Sequence, residues 1–351
     1  PGLEMEQRLR EEHGVDAEQL RVACSILPWN YNYEVPKTVD KILTSKKTRA
    51  QSGPMKVSLQ FPEGLLLHST LLADIIGKFC GVETLILGDV TYGACCVDDI
   101  ASKQLECDFI VHYGHSCLVA IPDLVIQNAL YVFVEIKFDV EVFVESIAHN
   151  FPERKDQPLF LMGIIQFNNS LLLTKALLEK QRGFSRVFLP QCKPRSKGEV
   201  LGCTSPVLDE ACPGDVVVFI GDGRFHIESS MIRNPELRFF QFNPYTLKFT
   251  REVYQTEKMK AIRKAEVDKA KSARVFGVIL GTLGRQGSTT ILEEIQALIE
   301  RNNREYFVLF LSEITPQKLQ RFEDEVDAWV QIACPRLSID WGHFCSRPLL
   351  N

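Results

Sequence analysis

The chain has no CxxC pair, no excess of positive charge and no apolar run near the roughly 20 residues that a membrane span needs. Each absence removes a class of protein. Without CxxC knuckles the eleven cysteines do not suggest a zinc ribbon, and with no secretory signal in view they do not suggest a disulfide framework. A reducing, cytoplasmic compartment is expected. The net charge of −5 lacks the basic character that drives phosphate-backbone binding, so neither nucleic acid nor a membrane is an expected partner. The apolar stretches, such as ALYVFVEI, have the length of buried strands. The opening Pro-Gly and the ending PLLN read as cut ends, with further terminal segments expected beyond them.

With 351 residues there is room for two or three domains and a sizeable core. Residues 1–53 read as an N-terminal arm. Within it, 3–22 are charge-rich and helix-prone, 26–43 mix aromatics with two prolines, and Lys46 to Gly53 is a polar run expected to be a solvated loop. A strand–helix alternation then begins and returns twice, which predicts α/β domains over 54–152, 153–250 and, with a linker helix, 251–351. MKVSLQF is a strand, His68 to Phe79 a helix and VETLILGD a strand; LFLMGIIQF, LLLTKALLEKQRG and SRVFLPQ repeat that order, as do ARVFGVILG, TTILEEIQALIERNN and EYFVLFLSE. The stretches CDFIVHYGHS, DVVVFIGDGR and DAWVQIACPR fall in one structural slot of the three units. VDDIASKQLE and PQKLQRFEDEV read as helices, and Thr250 to Arg274 as one long charged connecting helix. The expected fold class is therefore three homologous α/β domains with parallel sheets around a pseudo-threefold centre, with ligand groups at the carboxyl ends of the strands.

Three cysteines carry the chemistry. Cys95 in GDVTYGACCVDD, Cys203 in KGEVLGCTSP and Cys334 in VQIACPRLSID each follow an apolar, strand-like run, and they are separated by more than one hundred residues. One thiolate from each of three repeated units suits a shared metal centre, and three thiolates suggest an iron–sulfur cluster with one iron left open for substrate. Cys24, Cys80, Cys107, Cys117, Cys192, Cys212 and Cys345 read as small, mostly buried hydrophobes.

The ordered motifs GDVTYGACCVDD, HYGHSC, PQCKP, GEVLGCTSP, GDGRFH, GTLGRQGS and ACPRLSIDWG resemble the diphthamide-biosynthesis enzymes over roughly residues 26 to 350. The middle cysteine, NYNYEVPKT and ACCVDD point within that family to the eukaryotic subunit 1 branch of 2-(3-amino-3-carboxypropyl)histidine synthase. The resemblance implies Cys95, Cys203 and Cys334 as ligands of a [4Fe-4S] cluster. Cys96 is the ambiguous neighbour, set aside because the archaeal pattern has an acidic residue after the ligand.

It also implies a transferase with S-adenosylmethionine as substrate. One electron cleaves the bond between sulfur and the methionine γ-carbon, and methylthioadenosine leaves. The 3-amino-3-carboxypropyl radical then adds to C2 of a histidine imidazole on translation elongation factor 2. The partners so implied are a subunit 2 homologue in a heterodimer and a small zinc- or iron-binding reductant protein. Candidates for the S-adenosylmethionine pocket are Gln60, Asp89, His115, Gln166, Gly284, Arg285 and Gln286. For the 281–288 turn, an anion cradle and a bare Gly-rich turn both stand. His112, Tyr113 and His115 stand at a strand end, either as donors toward cluster sulfur or as histidines satisfied by backbone carbonyls. Two other readings are an electron-relay or assembly subunit without its own substrate site, and a zinc-stabilised structural protein.

Overall fold

A computed structural model describes residues 2–50, 53–89 and 93–351. Gln51 and Ser52 of the polar run and Val90 to Tyr92 of the GDVTYGACC motif lie outside the described residues. The chain divides into two compact units. One comprises Pro1–Glu199, Val218–Asp222 and Phe242–Phe249; the other comprises Val200–Val217, Gly223–Gln241 and Thr250–Asn351.

The first unit opens with helices α1 (Gly2–His13) and α2 (Ala17–Cys24), strand β1 (Tyr31–Asn32) and helix α3 (Val35–Thr48). The helix-prone stretch 3–22 is broken in two. Gly14 adopts φ +67, a left-handed conformation open to glycine, and the Asp16 carboxylate caps α2 by accepting from Glu18 N and Gln19 N at 3.0 and 3.2 Å. Nor is Lys46 to Gly53 simply a solvated loop. Lys46 and Lys47 close α3, and Lys46 Nζ donates to the carbonyls of Cys80 and Gly81 at 2.8 and 2.7 Å. Arg49 pairs with Asp108 at 2.9 Å. Lys46 and Arg49 of that run thus reach fixed carbonyl and carboxylate partners, while Lys46 and Lys47 stay exposed.

The sheet of this region uses β2 (Lys56–Gln60), β3 (Glu83–Ile86), β4 (Phe109–Tyr113) and β5 (Ala129–Val132), in the order β3-β2-β4-β5 and parallel throughout. Helix α4 (Ser69–Cys80), preceded by a 3-10 turn, joins β2 to β3, and α5 (Asp99–Gln104) leads into β4. Successive side chains on a strand point to opposite faces. Val57, Leu59, Val111 and Tyr113 accordingly pack with Leu9, Val39, Ile42 and Leu72, while Ile110 and Tyr131 pack with Val97, Leu124 and Ile126. The N-terminal helices are thus part of this core.

Strand β6 (Glu135–Ile136) pairs antiparallel with β1, and α6 (Val140–Asn150) follows. Next come β7 (Leu159–Gly163), α7 (Asn168–Gln181), β8 (Val187–Phe188), β9 (Val216–Ile220), α8 (Phe225–Arg233), β10 (Arg238–Asn243) and β11 (Lys248–Glu252). The sheet order is β8-β7-β9-β10-β11. To the first unit β9, β10 and β11 contribute Val218–Ile220, Phe242–Asn243 and Lys248–Phe249. The strand expected from SRVFLPQ is cut to two residues, since Pro190 offers no N–H to extend it.

In the second unit, α8 precedes α9 (Thr256–Ala270), β12 (Val275–Gly281), α10 (Thr289–Arg301), β13 (Glu305–Leu311), α11 (Pro316–Gln320), β14 (Ala328–Ile332) and β15 (Leu349–Leu350). The order is β13-β12-β14-β15, again all parallel. Val278, Leu280 and Ile332 face Leu292 and Ile299 of α10, while Ile279 and Trp329 face Leu319 and Val326. The long helix expected over Thr250 to Arg274 is shorter, because 250–252 complete β11. The expected helix PQKLQRFEDEV stops at Gln320. The acidic run Glu323, Asp324, Glu325 would have faced the negative end of its dipole.

Numbered by appearance, each of the three sheets has the order 2-1-3-4, with a fifth strand added in the second. The α/β class with parallel sheets stands, and the repeat read from the alternation reappears as a repeated strand order.

A glycine in β12 shows how tightly the third sheet is packed. A Cβ on Gly277 would lie 2.2 Å from the Trp329 ring, and Trp329 is fully buried. Gly277→Ala should destabilise the protein by about 1–3 kcal/mol through overpacking. A lower midpoint of thermal unfolding is expected, and an unchanged midpoint would contradict the packing described.

Candidate metal centre

Cys95 follows β3. The turn that carries it closes by a hydrogen bond from Cys96 N to Gly93 O at 2.9 Å, and the Sγ atoms of Cys95 and Cys96 are 3.8 Å apart. Cys95 is half-buried and Cys96 buried. Beneath this turn lies Gln60, the last residue of β2, which is buried. Its Nε2 donates to Cys96 O at 2.8 Å, and its Oε1 accepts from Asp98 N at 3.1 Å. His112, on the neighbouring strand, places Nδ1 2.8 Å from the same Oε1. An amide oxygen only accepts, so Nδ1 carries the proton and Nε2 is left bare and buried, without a hydrogen-bond partner among the described residues. Burial, and secondarily the neighbouring His115, push the His112 pKa down to about 3.

Cys203 is exposed at the corner of a tight turn in which Leu201 N donates to Thr204 O at 3.1 Å and Thr204 N to Leu201 O at 3.3 Å. Thr204 Oγ1 lies 3.5 Å from Cys203 Sγ and donates toward it. The next residue is anchored from below, as Ser205 Oγ bonds Ser229 and Ser230 of α8 at 3.0 and 2.9 Å. Gly202 touches Phe225 so closely that a Cβ there would be 1.9 Å from its ring.

Cys334 lies two residues beyond β14 and is half-buried. Gln331, buried on that strand, donates Nε2 to Cys334 O at 3.0 Å and lies 3.1 Å from Ser338 Oγ. In the first unit Gln60 and in the second Gln331 therefore do the same thing: a buried amide holds a backbone carbonyl of a cysteine loop. Arg336 adds a second anchor. Its Nη1 donates to Gly202 O at 3.0 Å and to Phe225 O at 2.8 Å, its Nη2 to Glu228 at 2.7 Å and its Nε to Asp340 at 2.8 Å. The guanidinium also lies 4.5 Å from the centre of the Phe225 ring.

The other sequence candidates are more ordinary. Gln166 holds backbone, with its amide donating to Gly114 O and, at 3.2 Å, to Phe133 O. Asp89 is exposed beyond β3, and its charge contributes to raising the Asp98 pKa after the larger effect of burial. His115 stands half-buried with its ring 6.0 Å from that of His112. In the 281–288 turn, Gly281 approaches Ala333 within 2.6 Å of a would-be Cβ, and a Cβ on Gly287 would lie 2.4 Å from Gly281 O. Close approach accounts for both glycines, and φ +57 for Gly284. Arg285 is exposed and Gln286 half-buried.

The remaining cysteines divide. Cys80 and Cys107 are buried and their pKa values are raised by burial, that of Cys80 to about 12. Cys24, Cys192 and Cys345 are half-buried, while Cys117 and Cys212 are exposed, contrary to the expectation of mostly buried hydrophobes. Both lie in irregular segments outside the apolar strands. Sequence reasoning missed Gln331 and Arg336. The signals were present, as a glutamine inside the apolar strand AWVQI and an arginine two residues after Cys334.

Taken one by one, Cys95, Cys203 and Cys334 are thiols of the kind that a thiophilic metal or iron takes as ligands. None of the three is in a disulfide, each has accessible surface on a loop beyond a strand end, and two of the three loops have a backbone carbonyl held by a buried amide.

A family model described as "Putative diphthamide synthesis protein" matches residues 61–351. Curated relatives named 2-(3-amino-3-carboxypropyl)histidine synthase subunit 1 include one from Dictyostelium discoideum, 46% identical over 100% of this chain and 73% of its own. Those from Schizosaccharomyces pombe and Gallus gallus are each 48% identical, covering 94% and 95% of this chain and 74% and 78% of theirs. Among solved structures, Dph2 from Pyrococcus horikoshii with a 4Fe-4S cluster has a TM-score of 0.72 and 26% identity over 91% of this chain and 89% of its own.

The buried histidine gives a pH test. Its pKa is lower in the folded chain than its ordinary 6.5, so below pH 6.5 the unfolded state binds a proton that the native state refuses, and stability falls as pH drops toward 3. At pH 5 the loss should be about 2 kcal/mol. His112→Asn keeps an amide donor without the titrating ring, so its urea midpoint should fall less between pH 7 and pH 5 than that of the native chain. Equal slopes would mean that His112 is protonated in the folded protein.

Proposed function

The chain belongs to the diphthamide synthesis family, in the subunit 1 branch of its 2-(3-amino-3-carboxypropyl)histidine synthases, and from that premise we propose that Cys95, Cys203 and Cys334 hold a [4Fe-4S] cluster for the first step of diphthamide synthesis. The observation that carries this reading is the set of three accessible thiols on loops beyond strand ends, in a chain nearly half identical to synthases of that name. The step transfers a 3-amino-3-carboxypropyl group from S-adenosylmethionine to a histidine of translation elongation factor 2. When bound, such a cluster would supply one electron to the sulfonium, so that methylthioadenosine leaves; the aminocarboxypropyl group would pass to imidazole C2, and the adduct would give up a proton and return the electron as the ring regains its aromaticity.

The chain's own residues hold and orient. Gln60 and Gln331 fix the carbonyls of two cysteine loops, and Thr204 donates toward Cys203 sulfur. His112, kept neutral, fixes Gln60 and brings no charge beside the Cys95 loop. The name subunit 1 supports a partner subunit, which we take to be the subunit 2 homologue, with a small reductant protein as electron source and the cytoplasm as the compartment. No helix among the described residues is long and apolar enough to cross a membrane.

Two measurements test this. After anaerobic reconstitution, Cys95→Ala, Cys203→Ala and Cys334→Ala should each lose most of the iron and the visible absorption of the native chain, whereas Cys212→Ala should keep both. Full iron in any of the three would remove that residue from the ligand set. With the partner subunit, reductant and S-adenosylmethionine, the purine product should be methylthioadenosine and elongation factor 2 should gain one aminocarboxypropyl group on a histidine. 5′-Deoxyadenosine as product, or an adduct elsewhere, would overturn the proposed reaction.

A further inference from the structure

Arg336 is almost wholly buried in the second unit, in a network that alternates in sign. Asp340 and Glu228 flank it, Glu228 Oε1 is also bound by Arg224 Nε at 3.1 Å, and Arg224 in turn pairs with Glu252 and donates to Val253 O at 3.0 Å. Arg336 therefore ties three segments together: the Cys334 loop that bears it, the Cys203 turn through Gly202 O, and the amino end of α8 through Phe225 O and Glu228.

A buried arginine beside a cysteine loop invites a role in binding a substrate carboxylate. Its surroundings argue against that. Two carboxylates already accept from its Nε and Nη2, both hydrogens of Nη1 go to carbonyls, and one face lies on the Phe225 ring. A guanidinium has five N–H groups in a fixed plane, and the contacts described here use four of them. We infer that Arg336 is a positioning residue that sets the separation and orientation of the Cys203 and Cys334 thiols before any metal arrives. The bond to Gly202 O is the element that matters, because Gly202 precedes Cys203 directly and its lack of a side chain lets Phe225 lie against the turn. Lysine cannot replace it: a point ammonium does not span two carbonyls and two carboxylates in one plane.

The inference rests on the cluster reading, and its test is arranged so that the two fail separately. The metal-free full-length chain is treated with dibromobimane, which becomes fluorescent when one molecule bridges two thiols, and the bridged peptides are identified by mass spectrometry. In the native chain a Cys203–Cys334 bridge is expected. In Arg336→Ala and Arg336→Lys its yield should fall about tenfold or more, as a buried network is lost. Glu228→Gln, which keeps an acceptor for Nη2, should retain most of the bridge. Far-ultraviolet circular dichroism checks that the variants are folded, and Arg336→Lys carries the test if Arg336→Ala is not. In parallel, iron retained after reconstitution and challenge with a chelator should fall with the bridging yield. A native chain that gives no bridge, or a folded Arg336→Lys that bridges like the native chain, would overturn the positioning role. An Arg336-dependent bridge in a chain that never takes up iron would uphold it while removing the cluster.

Discussion

A loop that offers a thiol to a metal must leave the sulfur accessible, and so it forgoes the apolar burial that keeps most loops still. The alternative is to hold the backbone beneath the sulfur by polar groups that are themselves buried. In a low-dielectric interior a satisfied hydrogen bond is strong and a missing one is costly, so such anchors are stiff. Gln60, Gln331 and Arg336 are of this kind, each no more than 5% exposed and each bonded to a carbonyl in or next to a cysteine turn. The accessible cysteines are thus built from below.

The same constraint explains why these anchors stand where they do. Gln60 ends β2 and Gln331 lies one residue before the end of β14, where the strand is still paired to one neighbour and the side chain can reach the loop above. An arginine has a longer reach and serves where one anchor must hold more than one segment. Its burial is tolerable because Glu228 and Asp340 balance it. Removing one partner of such a buried ion pair typically costs about 3–5 kcal/mol. The arrangement is therefore sensitive to the loss of a partner, and it holds the Cys203 and Cys334 turns, remote in sequence, as one piece.

Much of this was legible in the sequence, and the reason is periodicity. Buried parallel strands such as FIVHY, VVVFI and AWVQI announce themselves as apolar runs, and the repeat of strand and helix foreshadows the three sheets. The cysteines stood out because they followed those runs. What could not be read was the use made of polar residues. The carbonyls that the amides of Gln60 and Gln166 hold were not legible, since an isolated glutamine at a strand end has no pattern that tells a ligand contact from an internal hydrogen bond. The carbonyl partners of the exposed Lys46 were hidden for the same reason, and the length of β11 was hidden in a charged stretch whose helical bias held only from Thr256 onward.

The repeat itself has a limit as a guide to chemistry. In the strand order common to the three sheets, Cys95 and Cys203 follow the second strand of their repeats, β3 and β8, whereas Cys334 follows the third strand, β14. The residues that correspond to Cys334, two positions beyond β4 and β9, are His115 and Asp222. Equivalent positions therefore bear a thiol, an imidazole and a carboxylate. Strand order is fixed by hydrophobic faces and right-handed crossovers, which tolerate any residue at a loop tip. The identity of a loop residue has no such protection, so three similar sheets can diverge until the cysteine of one stands on a different loop. Aligning the repeats and copying a cysteine position from one to the next would have placed the third cysteine after β13, where the chain has Ser312 and Glu313.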